Sequence, residues 1–306
     1  MKTHNLFAAL LMAASGWLAT PAHAALRVLA CEPEWGALAQ ELGGALVEVS
    51  VATTALQDPH QIQAKPSLIA KARNADLLVC TGAELEVGWL PVLLQQSGNA
   101  KIQPGQPGNF AAADFVRKLD VPTQVDRSQG DVHAAGNPHI QTDARNIALV
   151  ATALTARLQQ LDASNASAYA DRAKDFQQRW QQAMARWTAK AAPLKGMAVV
   201  SQHKAFPYLY DWLGMKEVAV LEPKPGVEPS VSHLQQVLAS LKTQPARLGI
   251  YAAYQDGRPS DWLQRNSGIA TVRLPFTVGG SDGAKDLFGL FDDTIDRLTA
   301  AAGAAK

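Results

Sequence analysis

The chain has 306 residues, with 28 Lys and Arg against 27 Asp and Glu. A formal net charge of +1 excludes the basic surplus that nucleic acid or an anionic membrane surface demands of a partner. Its two cysteines, Cys31 and Cys80, lack CxxC spacing, which argues against a cysteine-built zinc module.

Lys2 begins the chain, an apolar run follows from Leu6 to Leu18, and Ala22-His23-Ala24 closes the segment. That order is a secretory signal, and the run is too short to span a bilayer. Residues 1–24 are therefore set aside, the mature chain is expected from near Ala25, and its expected location is the periplasm. The alternative, an N-terminal membrane anchor, lacks a basic stop-transfer flank. Val28-Leu29-Ala30-Cys31 resembles a lipoprotein box, but Thr20, Pro21 and His23 separate it from the apolar run. A strand fits Leu26 to Cys31 better. Without Lys2, 27 basic residues face 27 acidic ones, and what remains is long enough for two lobes. No later stretch reaches about 18 uninterrupted apolar residues, so the mature protein is expected to be soluble.

Leu26–Ala30 reads as a buried strand. Trp35, Leu38, Ala39 and Leu42 then recur at helical spacing until Gly43-Gly44 stops them. Val47–Val51 is a second strand, Ser67–Asn74 a helix opened by Pro66, and Asp76–Cys80 a third strand. This βαβ series predicts a parallel sheet with helices on its faces. Residues 100–137 are loop-rich, with Pro104, Gly105, Pro107, Gly108 and Gly130. Asp143–Leu161 is helical. Ser164–Ala192 is a longer helix of roughly 43 Å without internal Pro or Gly, suited to a spacer between lobes. Strands near Met197–Val200, Leu248–Ala252 and Thr271–Leu274 then alternate with helices near Val231–Leu241, Pro259–Asn266 and Lys285–Ala301. Cys31 and Cys80 end predicted strands. Export permits a disulfide between them, whereas neighbouring strands often hold side chains at poor bridging geometry, so a bridge and two buried thiols both stay open.

Five histidines remain beyond the signal: His60, His133, His139, His203 and His233. His60 lies in Gln57-Asp58-Pro59-His60, His139 in Gly136-Asn137-Pro138-His139, and His203 in Ser201-Gln202-His203. Each sits in a loop at an element edge, where α/β sheets place ligand groups. The prolines before His60 and His139 restrict the loop and lower the entropy lost on binding. Neutral imidazoles held in this way suit Zn²⁺, with Asp58 and Asp143 as nearby carboxylates able to orient the rings. Trp89, Trp180, Trp187 and Trp212 read as core or lobe contacts. Glu84 and Glu86 read as a solvated face, and Gly279-Gly280 as a turn.

Asp58-Pro59-His60 with Lys65-Pro66-Ser67, then Asn137-Pro138-His139-Ile140, then Gln202-His203-Lys204-Ala205-Phe206 with Tyr208-Leu209, resemble in order the metal-site motifs of the zinc and manganese substrate-binding proteins of ABC importers. Leu221-Glu222-Pro223-Lys224-Pro225-Gly226 is similar to a segment of the zinc members. The resemblance implies an α/β fold of two Rossmann-like lobes joined by a single long helix, with the metal in the cleft between them. On the elements above, the lobes are 25–162 and 193–306 and the linking helix is 163–192.

It also implies a solute-binding protein rather than an enzyme. His60, His139 and His203 would hold Zn²⁺ and deliver it to an inner-membrane permease driven by a separate ATPase, from a monomer and with little lobe motion. A manganese member usually carries a carboxylate where His203 stands. Three nitrogens favour zinc over manganese. The family usually adds a fourth ligand, a carboxylate, after a late strand of the second lobe. Leu274–Gly280 contains none, which leaves Asp282, Glu34 or water. The family's His-rich loop is reduced to His133. An exported three-histidine zinc hydrolase is the rival from another class, and a second role as an adhesin stays open.

Overall fold

The computed structural model describes residues 24–124 and 133–304. The signal-peptide reading therefore falls outside the described residues, Ala24 excepted. No helix among the described residues is long and apolar enough to cross a membrane.

Among the described residues, two four-stranded sheets, both wholly parallel, form the frame. In the first, β1 (Leu26–Ala30), β2 (Val47–Val51), β3 (Leu77–Cys80) and β4 (Asn109–Ala111) lie in the order β2-β1-β3-β4. In the second, β5 (Ala198–Ser201), β6 (Lys216–Val220), β7 (Leu248–Ala252) and β8 (Ala270–Leu274) repeat it as β6-β5-β7-β8. The strands Leu77–Cys80 and Leu248–Ala252 are almost wholly buried, as parallel strands covered on both faces require. Edge strands β4 and β6 are absent from the sequence reading. One spans three residues, and the other is half-exposed, so neither carries a continuous apolar run.

Helices α1 (Pro33–Gly43), α2 (Pro66–Asn74) and α3 (Leu90–Ser97) cover the first sheet. Helices α6 (Pro207–Leu213), α7 (Val231–Ser240) and α8 (Arg258–Ser267) belong to the second. Between the sheets in sequence run α4 (Ala144–Leu161) and α5 (Ala166–Lys190), and α9 (Leu287–Ala304) closes the described chain.

The long helix is shorter than the periodicity predicts, at 25 residues. Asp162 accepts hydrogen bonds from Ser164, Asn165 and Tyr169, which holds 163–165 in a separate tight turn. Pro193 sits in a second tight turn at the other end. Helix α5 is no bare spacer: it buries Tyr169, Phe176, Trp180, Ala183 and Trp187 against α1, α4 and α9. One continuous core consequently runs from Val28 and Trp35 through Trp180 and Trp187 to Val199, Ile250 and Phe291, and so joins both sheets. Trp89, Trp180 and Trp187 are buried and Trp212 packs partly buried on that core, as expected of them.

Cys31 and Cys80 end the adjacent strands β1 and β3 and are joined as a disulfide, with 4.7 Å between their Cα atoms. The bridge decides between the two readings of this pair. It also removes the lipoprotein-box reading of Cys31, whose sulfur is fully buried and already bonded.

Candidate metal centre

Parallel strands send all their C-terminal ends to one edge of the sheet, and loops at that edge carry the ligands of α/β folds. His60 follows β2 and His203 follows β5, each at such an edge. His139 precedes α4. The sheets meet across these edges: Thr277, after β8, donates a hydrogen bond to Glu34 in the first turn of α1. The ring of Phe276 lies 5.4 Å from that of His139.

The two Pro-His loops are built alike. Asp58 Oδ1 accepts both the backbone N–H of His60, at 3.0 Å, and its ring Nδ1, at 2.7 Å. Asn137 Oδ1 accepts both the backbone N–H of His139 and its ring Nδ1, each at 3.0 Å. An Asx side chain folds naturally onto the N–H two residues on, and the intervening proline brings no N–H of its own. The same short turn therefore fixes the histidine's backbone and its tautomer together.

Each loop is then pinned from outside. Trp89 Nε1 donates to Pro59 O at 2.8 Å. Gly88 comes so close to the loop that a Cβ there would stand 2.9 Å from His60 O. Tyr208 Oη donates to Asn137 O at 2.6 Å, and Lys204 O approaches His139 Nδ1 at 3.1 Å.

His203 uses a different device. Its Nδ1 lies 2.7 Å from Glu222 Oε2, an oxygen that also accepts the N–H of Gly226 at 3.1 Å. Glu222 follows β6, the neighbour of β5, and its backbone N–H bonds Gln202 O.

With all three Nδ1 atoms engaged, the three Nε2 atoms are buried without a hydrogen-bond partner. One nitrogen from each ring lies within 4.8 Å of the others. The ring centroids are 5.3 to 5.9 Å apart. A divalent ion with bonds of about 2.0–2.1 Å would sit among such lone pairs.

Electrostatics keep the His139 ring ready for a cation. Burial, with the neighbouring His203, His60 and His133 adding to it, pushes His139 well below the usual imidazole range, so its neutral form is favoured. Burial works against the charge of Asp58, but the hydrogen bond from the His60 ring and that ring's charge hold its carboxyl below the usual carboxylate range.

Several expectations are corrected by the geometry. Asp143 orients no histidine: it caps α4 through the N–H of Arg145, at 2.8 Å, and is engaged by that residue's guanidinium. Asn137 and the Lys204 carbonyl take the place expected for it. Asp282 is exposed, in a turn where Gly279 adopts a positive φ of 87°. Glu34 is fully buried but points to Thr277, and neither carboxylate joins the three-histidine group among the described residues.

Glu84 is exposed as expected, whereas Glu86 is buried and accepts from the N–H groups of Thr81 and Gly82. Glu32 joins it by accepting from Thr81 Oγ1 at 3.1 Å. Burial pushes Glu34 and Glu86 up to about 7, and raises Glu32 well above the carboxylate range with the charges of Glu86 and Glu34 adding to it. Glu86 also stands near Cys31 and Cys80, but those sulfurs are bonded to each other and offer no ligand. Glu222 is the functional residue that sequence reasoning missed. Its segment was singled out, but nothing local paired it with a histidine 19 residues earlier.

A family profile described as zinc-uptake complex component A, periplasmic, matches residues 28–301. The manganese ABC transporter substrate-binding lipoprotein PsaA of Streptococcus pneumoniae serotype 4 is 22 % identical over 305 residues, covering 97 % of this chain and 95 % of the relative. The high-affinity zinc uptake system protein ZnuA of Bacillus subtilis is 24 % identical over 245 residues, 75 % of this chain and 71 % of the relative. In three dimensions the chain superposes on a crystal structure of ZnuA with a TM-score of 0.75 at 20 % identity, over 91 % of this chain and all of that one. A Mn-bound periplasmic metal binding protein from Candidatus Liberibacter asiaticus gives 0.73 at 17 %, over 90 % of this chain and 99 % of that one.

Proposed function

The chain belongs to the family of the periplasmic zinc-uptake component A, and from that premise we propose that it captures Zn²⁺ through His60, His139 and His203 and hands it to a membrane permease. Members of the family are substrate-binding components of metal ABC importers, not enzymes. Relatives are named for zinc and for manganese alike, so the choice of metal rests on this chain's own residues.

One observation carries the choice of zinc. Three imidazoles present buried, unpartnered Nε2 atoms to one another, with each Nδ1 already held by an acceptor. Such an all-nitrogen set suits zinc, whereas manganese prefers hard oxygen donors. The carboxylates nearest the rings, Asp58 and Glu222, lie on the Nδ1 side, where they hold the rings rather than activate a bound water. That placement disfavours the zinc-hydrolase reading. We further assign export to the periplasm through residues 1–24, and partnership with an inner-membrane permease and its ATPase.

The test is a titration of the metal-free protein with Zn²⁺ and Mn²⁺, repeated on His60→Ala, His139→Ala and His203→Ala. Zinc is expected to bind more tightly than manganese, and each variant to lose zinc affinity. Zinc binding that survives all three substitutions overturns the site.

A further inference from the structure

Three histidines leave a tetrahedral ion one position short. Among the described residues no carboxylate completes the group, and Asp282 and Glu34 are both engaged or placed elsewhere. A fourth imidazole does stand beside it. The ring of His133 stacks on that of His60, with centroids 5.4 Å apart and planes 25° from parallel. A cavity of about 260 Å³ is lined by His133, His139 and His203 together, along with Asp120, Lys204 and Asn137. His133 and two members of the cluster thus share one chamber.

The backbone of His133 is anchored. Its carbonyl accepts the N–H of Gly136 at 3.1 Å, and the next residue, Ala134, donates its N–H to Glu84. Glu84 reaches that N–H from an unusual turn, in which Gly82, Ala83 and Glu84 all have positive φ, of 77°, 48° and 68°. Side-chain-bearing residues adopt such angles only where the surrounding structure enforces them. With its carbonyl and the following N–H held, the His133 ring turns about its side-chain bonds, from the face of His60 into the shared chamber.

We propose that His133 is the fourth metal ligand, turning off the His60 ring to complete an all-imidazole tetrahedron. The proposal rests on the three-histidine zinc reading and deepens it. A fourth nitrogen strengthens the preference for zinc over manganese beyond what three supply. Asp120 lines the same chamber, but Lys204 Nζ stands 3.7 Å from its carboxylate and lowers its value as a donor.

X-ray absorption at the zinc edge counts imidazoles through their outer-shell scattering. The zinc-loaded native protein is expected to show four, and His133→Ala three. His133→Phe separates ligation from packing, because phenylalanine keeps the stack on His60 and offers no nitrogen. Zinc affinity is expected to fall by at least the roughly 10–100-fold that loss of an orienting partner costs, in both variants, with a smaller fall for manganese. Three imidazoles in the native protein, or unchanged affinity in His133→Phe, overturns the proposal and gives the fourth position to an oxygen donor, while the three-histidine site stands. Scattering that shows no imidazole overturns both readings.

Discussion

Asp58 Oδ1 holds both nitrogens that His60 can offer it, the backbone N–H at 3.0 Å and the ring Nδ1 at 2.7 Å. A single oxygen thereby fixes where the loop goes and which ring nitrogen is left for a metal. Orienting partners of this kind govern metal affinity by roughly 10–100-fold. Asp58→Ala is expected to weaken zinc binding by that order with the fold intact. Asp58→Asn is expected to cost less, because Asn137 performs the same task for His139 without a charge. Competition with a chromophoric chelator measures both, and equal losses in the two variants would contradict this account.

Glu222 Oε2 stands to His203 as Asp58 stands to His60, at the same 2.7 Å. Glu222→Ala is expected to lower zinc affinity by roughly 10–100-fold without altering thermal stability by more than about 1 kcal/mol, since the residue is at the rim. Unchanged affinity in that variant, measured by the same competition, would remove Glu222 from the site.

The contact between Glu34 and Thr277 joins the two halves of the molecule through a buried carboxyl. Burial raises Glu34 from 4.5 to about 7, so the native state favours its protonated form. That contribution to stability is complete below the ordinary carboxylate range and is lost as pH rises through about 7. Glu34→Gln removes the titration. The variant is expected to match the native protein near pH 4 and exceed it at pH 8 by on the order of 1–3 kcal/mol. Denaturation curves that run parallel across this range would sink the prediction.

The disulfide closes a loop with a sequence separation of 49 between Cys31 and Cys80. Its loss in Cys31→Ser/Cys80→Ser is expected to cost about 2–4 kcal/mol, read as a shift in the denaturation midpoint. A midpoint identical to that of the oxidised native protein would show the bridge to be dispensable.

Trp180 packs against Phe176, Trp187, Phe288 and Phe291, and its Nε1 donates to Ala144 O at 2.8 Å. Trp180→Ala is expected to cost about 3–5 kcal/mol. Because the core around it joins both sheets, calorimetry of the native protein should show one transition, and two resolved transitions would contradict a shared core.

The sequence by itself determined the alternation that makes parallel sheets, the long helix between the two halves, and the two Pro-His loops with Asp58 beside the first. These signals act over a few residues, so hydrogen-bonding reach and helical or strand period suffice to read them. Tertiary structure alone decided the rest. The order β6-β5 brought Glu222 to His203. The pairing of β1 with β3 joined Cys31 to Cys80. The meeting of the two sheet edges buried Glu34 against Thr277, while the packing after β3 buried Glu86, a residue that looked like part of a solvated face. Asp143 went to the N-terminus of α4, where the helix N–H of Arg145, two residues on, outcompeted a more distant ring. Such partners are chosen by strand order and by burial, and neither quantity is written in the spacing of residues along the chain.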